Sequence, residues 1–270
     1  GWVVRWELPK ALQRHLNRLF VWAFGIDLSE AKVHRDDYPS LEAVFIRALH
    51  PGCRPIAGDY VSPADGKVTQ SGPLIGDQQL LQAKGISCSA LAMIYGEQVV
   101  LSHPPPLNLA WSTTVYLAPH NYHRVHSPVT GRLRWVNYIP GELWPVNATY
   151  TRVVPRLWSR NERLVFGIAL DRGWAYVVMI GAFNVGRMAS PFLPGFTANS
   201  AARVSRTVEP FHHIPTAVPE LDCGAELGVF MLGSTVVTLL DQAAVDALRP
   251  SPISAHQAIK YGESLVTQAN

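Results

Sequence analysis

Polar and apolar positions change rhythm near residue 54. Before it, spacings of three and four dominate: Leu12, Leu16, Leu19, Phe20 and Ala23 fall on one side of residues 9–26, with Arg14, His15 and Arg18 on the other. Pro9 stands where a first helical turn tolerates it, so the pattern predicts a helix there. A second short helix is predicted over residues 40–49, with Ser40 as N-cap, Glu42 in the first turn and Pro51 as the stop. From Arg54 onward, β-branched and aromatic runs of four to eight residues alternate with Pro and Gly, which is strand grammar. Short helices are expected again only at residues 241–248 and around residues 87–95. The predicted class is α+β: N-terminal helices over residues 1–50, then an antiparallel β-rich barrel or sandwich body over 51–270. A doubly wound parallel sheet does not fit this order.

One internal echo stands out. Ser62-Pro-Ala-Asp-Gly-Lys-Val68 and Ser127-Pro-Val-Thr-Gly-Arg-Leu133 both read S-P-x-x-G-[KR]-[VL]. Each is expected to be a strand, a tight turn at Gly66 or Gly131, and a second strand. Residues 259–265 have similar strand-Gly-strand character, in keeping with a body built of hairpins.

Composition sharpens the picture. Among 270 residues, 48% are apolar and only 16% charged, so the chain can bury a large core and is not intrinsically disordered. The longest apolar runs, residues 19–24 and 174–180, fall short of the roughly 18 to 20 residues of a spanning helix. Cys53, Cys88 and Cys223 form neither a C-x-x-C pair nor an even set, which argues against a disulfide framework or structural zinc and for a reducing compartment. No secretory signal is expected at the start. The small net charge of +3 is local: Arg5, Lys10, Arg14 and Arg18 face Glu7 alone in the first 26 residues. Nucleic-acid binding, which needs a broad basic footprint, is not expected.

Candidate chemistry lies in three polar insertions at the ends of apolar runs. Asp65 precedes Gly66 and reads first as a turn aspartate capping its own backbone. His120, His123 and His126 recur every third residue; on a helix they could ligate a metal. The strand text before Pro119 and the turn at Pro128 instead put His120 and His126 on one face and His123 on the other, so no metal site is expected. His123 and His126 then remain as separate proton handlers. Ser234 follows Gly233 inside what reads as a continuous buried strand over residues 228–240, a poor place to meet outside esters. Asp65, His126 and Ser234 offer an acid, a base and a nucleophile, without the G-x-S-x-G elbow. A strand serine could attack the adjacent Gly233 carbonyl, which no Cβ shields.

The text around these residues resembles the bacterial phosphatidylserine decarboxylases, the membrane-associated, pyruvoyl-dependent type. The matching stretches are Ser62-Pro-Ala-Asp65-Gly66, Ala118-Pro-His-Asn-Tyr122-His123-Arg124-Val-His126-Ser-Pro128, and Glu226-Leu-Gly228-x-Phe230-x-x-Gly233-Ser234-Thr235-Val236. Residues 138–147 and Asn161-Glu-Arg163 agree as well, and Asn121 departs from the family's usual Asp. The resemblance implies self-cleavage between Gly233 and Ser234 into residues 1–233 and 234–270, with Ser234 becoming a pyruvoyl group. Asp65 would orient His126, which would take the Ser234 proton. The pyruvoyl carbonyl would form a Schiff base with the phosphatidylserine amine, and His123 would protonate the carbanion left by decarboxylation, giving phosphatidylethanolamine. Implied partners are the phospholipid, the cytoplasmic face of the cell membrane and the second self-cleaved chain, with a homodimer left open. Leu12, Leu16, Leu19, Phe20 and Trp22, beside Arg14 and Arg18, would dock the first helix on the membrane. Two alternatives stay open: a Ser-His-Asp ester hydrolase, and a noncatalytic lipid-binding β module.

Overall fold

The computed structural model describes residues 3–76, 79–83, 86–96, 107–182, 187–198, 211–213, 218–231 and 234–266. Helix α1 (Lys10–Phe24) starts directly after Pro9 and ends at Gly25, whose φ of 64° turns the chain out of the helix. Its protein-facing side is polar. Gln13 and Asn17 are its buried residues; Gln13 Nε2 donates to Asn17 Oδ1 (2.8 Å), and Asn17 Nδ2 donates to the Tyr38 carbonyl (2.9 Å). Phe20 and Val21 touch a small core of Ile26, Tyr38 and Val44, while Leu12, Leu19, Trp22 and Phe24 are exposed. Helix α2 (Leu41–Phe45) is capped by Ser40 Oγ, which accepts from the Ala43 N–H at 3.1 Å. It is shorter than the 40–49 expected because a tertiary pairing takes over: Lys32 N–H donates to Ala48 O (2.9 Å) and Ala31 bridges Leu49.

The body follows in the order β1 (Gly66–Pro73), β2 (Gln79–Ala83), β3 (Ile86–Ser89), α3 (Ala90–Tyr95), β4 (Leu109–Leu117), β5 (Arg124–His126), β6 (Gly131–Ile139), α4 (Ala148–Val153) and α5 (Leu157–Arg160). Then come β7 (Arg163–Ala169), β8 (Trp174–Ile180), β9 (Met188–Ala189), β10 (Phe211–His213), β11 (Glu220–Leu221), β12 (Glu226–Phe230), β13 (Ser234–Asp241), α6 (Gln242–Leu248) and β14 (Ala258–Ile259). All ladders between these strands are antiparallel. Nine strands form one curled half-barrel sheet, β10-β6-β7-β8-β13-β4-β1-β14 with β11 beside β6; β5, β12 and β9 form a second, small sheet. The mixed α+β class read from the sequence holds. Residues 87–95 divide between β3 and α3, with Ser89 as the helix cap.

Both faces of the long sheet are covered, which is why its central strands are apolar without interruption. Ala175, Val177 and Met179 enter one core with Val136, Phe166 and Val236; Tyr176, Val178 and Ile180 enter another with Val165, Val237 and the helices α3 and α5. The continuous strand expected over 228–240 is two strands. β12 belongs to the small sheet and β13 to the large one, so the chain changes sheet just before Ser234; Gly233 itself lies outside the described residues.

The internal echo is a structural repeat about the β8–β13 pair. On one side Gly66 pairs with Ile259, and Ser62 N–H donates to Glu263 O while Gly262 N–H donates to Ser62 O. On the other Gly131 pairs with Leu221, Ser127 N–H donates to Ala225 O and Gly224 N–H donates to Ser127 O. Gly224 and Gly262 share a φ of 88°. Gly66 and Gly131 begin strands and are not the turn residues expected. Their missing side chains admit a neighbouring strand, since a Cβ would lie 2.2 Å from Tyr116 O in one case and 2.7 Å from Ala169 O in the other.

Candidate functional site

The histidine segment is a tight turn running into β5. Asn121 Oδ1 accepts from the Ala118 N–H (2.8 Å) and closes it, a role that needs only an oxygen, as Asp would also supply. His120 is exposed, whereas His123 and His126 are buried. His123 Nδ1 lies 2.8 Å from the Asn121 carbonyl. A carbonyl can only accept, so Nδ1 carries the proton and Nε2 is the bare nitrogen of a neutral ring. That Nε2 is buried without a partner, and the ring sits 3.9 Å from the Phe45 ring at the end of α2. Burial pushes the His123 pKa down to about 3, against the pull of the Asn121 carbonyl and with help from Arg47.

His126 is held differently. Nδ1 meets Gly224 O at 2.7 Å, Nε2 meets the Tyr122 hydroxyl at 3.2 Å, and the ring stacks on Tyr261 with centroids 4.0 Å apart and planes 9° from parallel. Burial lowers its pKa too. Asp65 is joined to this group through Tyr261, whose N–H donates to Asp65 Oδ1 (2.9 Å). Both Asp65 oxygens also accept from Arg54, which reaches on to Glu30. The repeat exposes the bland part of this design: in the other half Thr130 Oγ1 accepts from the Cys223 N–H, as Asp65 does from Tyr261, and Val61 stands where His126 does. A threonine is enough to cap the turn. The carboxylate, imidazole and phenol occur together on one side only.

Ser234 opens β13, opposite Leu117, and its Oγ is buried with no hydrogen-bond partner. The segments 117–123 and 230–234 are tied at both ends, by that ladder and by Phe230 N–H to His123 O (3.0 Å). Among the described residues no hydrogen bond joins Asp65 to His126 or His126 to Ser234. The Ser234 hydroxyl and His123 Nε2 are thus both buried and unpartnered, and among the described residues no hydrogen bond joins them to each other.

The family profile for phosphatidylserine decarboxylase matches residues 41–267. The chain belongs to that family. Phosphatidylserine decarboxylase proenzymes similar to it include that of Alkalilimnicola ehrlichii, 37% identical and covering 98% of this chain and 88% of the relative. That of Alcanivorax borkumensis is 37% identical over 90% and 81% of the two chains, and that of Halorhodospira halophila 39% over 87% and 77%.

In this decarboxylase-family chain, sequence reasoning singled out Asp65, His123, His126 and Ser234 and missed Glu30, Phe45, Arg47, Arg54 and Tyr261. Tyr261 could have been found from the Gly-centred match of residues 259–265 to 221–225. Arg47 read as an ordinary basic residue at a helix end. Of the proposed docking residues, Leu12, Leu19 and Trp22 are exposed, but Leu16 and Phe20 are half-buried and Arg18 is held by Asp36 at 2.5 Å. Among the described residues no helix is long and apolar enough to cross a membrane.

Proposed function

We propose that this chain is the precursor of a self-cleaving decarboxylase that converts phosphatidylserine to phosphatidylethanolamine. The observation that carries the reading is the family match across 41–267 combined with a buried, unpartnered hydroxyl on Ser234. In self-cleavage, Ser234 Oγ attacks the Gly233 carbonyl carbon and its proton passes to a histidine; the C–N bond breaks, leaving an ester and a free amine on residue 234. Loss of the Cα proton and of the Cβ–Oγ bond then gives Gly233 a terminal carboxylate. Water replaces the amine, which leaves as ammonia, and residue 234 becomes a pyruvoyl group. That group supplies the electron sink for the pair freed as carbon dioxide departs.

His126 acts as the base for Ser234 after exchanging the Tyr122 hydroxyl, and Asp65 keeps Tyr261 stacked on it. His123 handles the proton at the substrate Cα. A second reading, in which His123 is the cleavage base, is favoured by its buried Nε2, which has no other hydrogen-bond partner. The exposed apolar side of α1 rests on the cytoplasmic membrane surface, from which the substrate is reached.

Denaturing mass measurement tests the whole reading. Wild type should yield a piece of about 4 kDa for residues 234–270, while Ser234→Ala stays at 29.7 kDa and releases no carbon dioxide from phosphatidylserine. An intact wild type that nonetheless decarboxylates the lipid would rule out the mechanism.

A further inference from the structure

Among the described residues Arg47 is the arginine with the most buried nitrogens left over; the partly exposed Arg187, whose Nη1 meets Glu42, has only its Nε buried and unpartnered. The Arg47 side chain is 5% exposed; Nη2 donates to His120 O (3.1 Å), and Nε and Nη1 have no partner. Other covered guanidiniums are saturated: Arg54 binds Glu30 and Asp65, and Arg163 binds the carbonyls of Ala92, Met93 and Asn161. Holding the 118–122 turn through His120 O needs one donor, so the structural role explains one nitrogen of three. Taking a cation out of water without a counter-anion is costly, and such groups in proteins are normally paired. Of the two carboxylates whose charge reaches Arg47, Asp65 is already occupied by Arg54 and Asp27 accepts from the Ser29 N–H, and among the described residues neither hydrogen-bonds the guanidinium.

Position indicates which anion Nε and Nη1 are placed to take. Arg47 lies two residues beyond Phe45, whose ring rests on His123, and at the end of the segment that begins with α1. It lies against the turn that carries His123, through its bond to His120 O. We propose that Arg47 is the receptor for the phosphodiester of the lipid headgroup; this rests on the decarboxylase reading above. The substrate carboxylate is the poorer match, because a guanidinium holding it would stabilise the ground state that must lose carbon dioxide, whereas the phosphodiester keeps its charge throughout. Binding there lowers KM and leaves the chemical step alone.

The test uses matured protein, phosphatidylserine in mixed micelles, and two soluble competitors. Glycerophosphoethanolamine has the phosphodiester and amine without a carboxylate; L-serine has the amine and carboxylate without a phosphate. Arg47→Gln should raise KM and the glycerophosphoethanolamine Ki by roughly 10- to 100-fold, the scale of a lost charge-assisted bond. It should change kcat far less and leave the serine Ki in place. A rise in the serine Ki alone, or no change in either Ki, overturns the assignment. Should Arg47→Gln fail to fold or mature, wild type serves with the methyl phosphotriester of glycerophosphoethanolamine, which lacks the phosphate charge. It should bind at least tenfold more weakly than the diester, and equal Ki values overturn the proposal. Wild-type cleavage and carbon dioxide release report separately on the decarboxylase reading.

Discussion

Replacing Leu19 and Trp22 by Ser should release the protein from membranes while leaving its fold intact. Leu19 is 56% exposed and Trp22 80%, and neither belongs to the core of Ile26, Tyr38 and Val44. Full burial of a large apolar side chain contributes about 1.5 to 3 kcal/mol, so moving these exposed fractions into the acyl boundary contributes about 3 kcal/mol together. That corresponds to a drop in partitioning of about 10²-fold. The ionic part is smaller. Arg18 is already bound to Asp36, which leaves Lys10 and Arg14, at about 1 kcal/mol each near an anionic leaflet and screened by salt. Cosedimentation with vesicles containing acidic lipid, at low and high salt, reads both contributions. Leu16→Ser with Phe20→Ser is the contrasting pair: those side chains are half-buried, so the change should lower the melting temperature more than it lowers binding. Undiminished binding by the Leu19 and Trp22 variant would refute the docking orientation. So would release caused only by the Leu16 and Phe20 pair in a protein of unchanged stability.

Three further outcomes are expected. His126→Ala and Asp65→Ala should block self-cleavage, whereas His123→Ala should mature and then decarboxylate slowly, by about 10² to 10⁴ in rate; gel analysis showing the reverse cleavage pattern would exchange the two histidines. Because the folded His123 pKa is depressed to about 3, the unfolded chain binds an extra proton between that value and about 6.5, so stability is full above the upper limit and declines below it. From pH 7 to 5 this amounts to about 2 kcal/mol, measurable as a urea-midpoint shift that His123→Gln should largely remove. Gly66→Ala should destabilise by a few kcal/mol in chemical denaturation, since its Cβ would sit 2.2 Å from the Tyr116 carbonyl of a central ladder; a shift below about 0.5 kcal/mol would contradict the close approach.

Much of the architecture was legible because its signals are local. Pro9 marks a helix start by its fixed backbone, Ser40 and Asp241 mark theirs by side-chain capping, and the β-branched runs become β7, β8 and β13. Legibility failed where a distant segment decides. Residues 46–49 leave the helical path to pair with Ala31, and the apolar text of 228–240 hides a change of sheet. The candidate site follows the same division. Histidine, aspartate and serine are found from residue type and motif, but Tyr261 on His126 or Arg47 above the 118–122 turn depends on contacts across 135 and 73 positions of chain. The unpaired nitrogens of Arg47 are invisible in any one-dimensional pattern, because basic residues at helix ends are ordinarily solvated.

Strand β13 lies between β8 and β4 with all eight of its residues buried. A cut on its N-terminal side would make the middle member of the sheet the opening strand of a separate 37-residue chain, which also carries α6 and the edge strand β14. Two full ladders keep that piece in place, so cohesion survives the cut. Reversibility does not. The precursor inserts β13 as part of one chain, a first-order event, whereas a denatured mature protein must find its partner fragment by diffusion and thread it into a closed gap. The working enzyme is then held by its unfolding barrier and not by an equilibrium it can revisit, and each molecule folds once, before it becomes active.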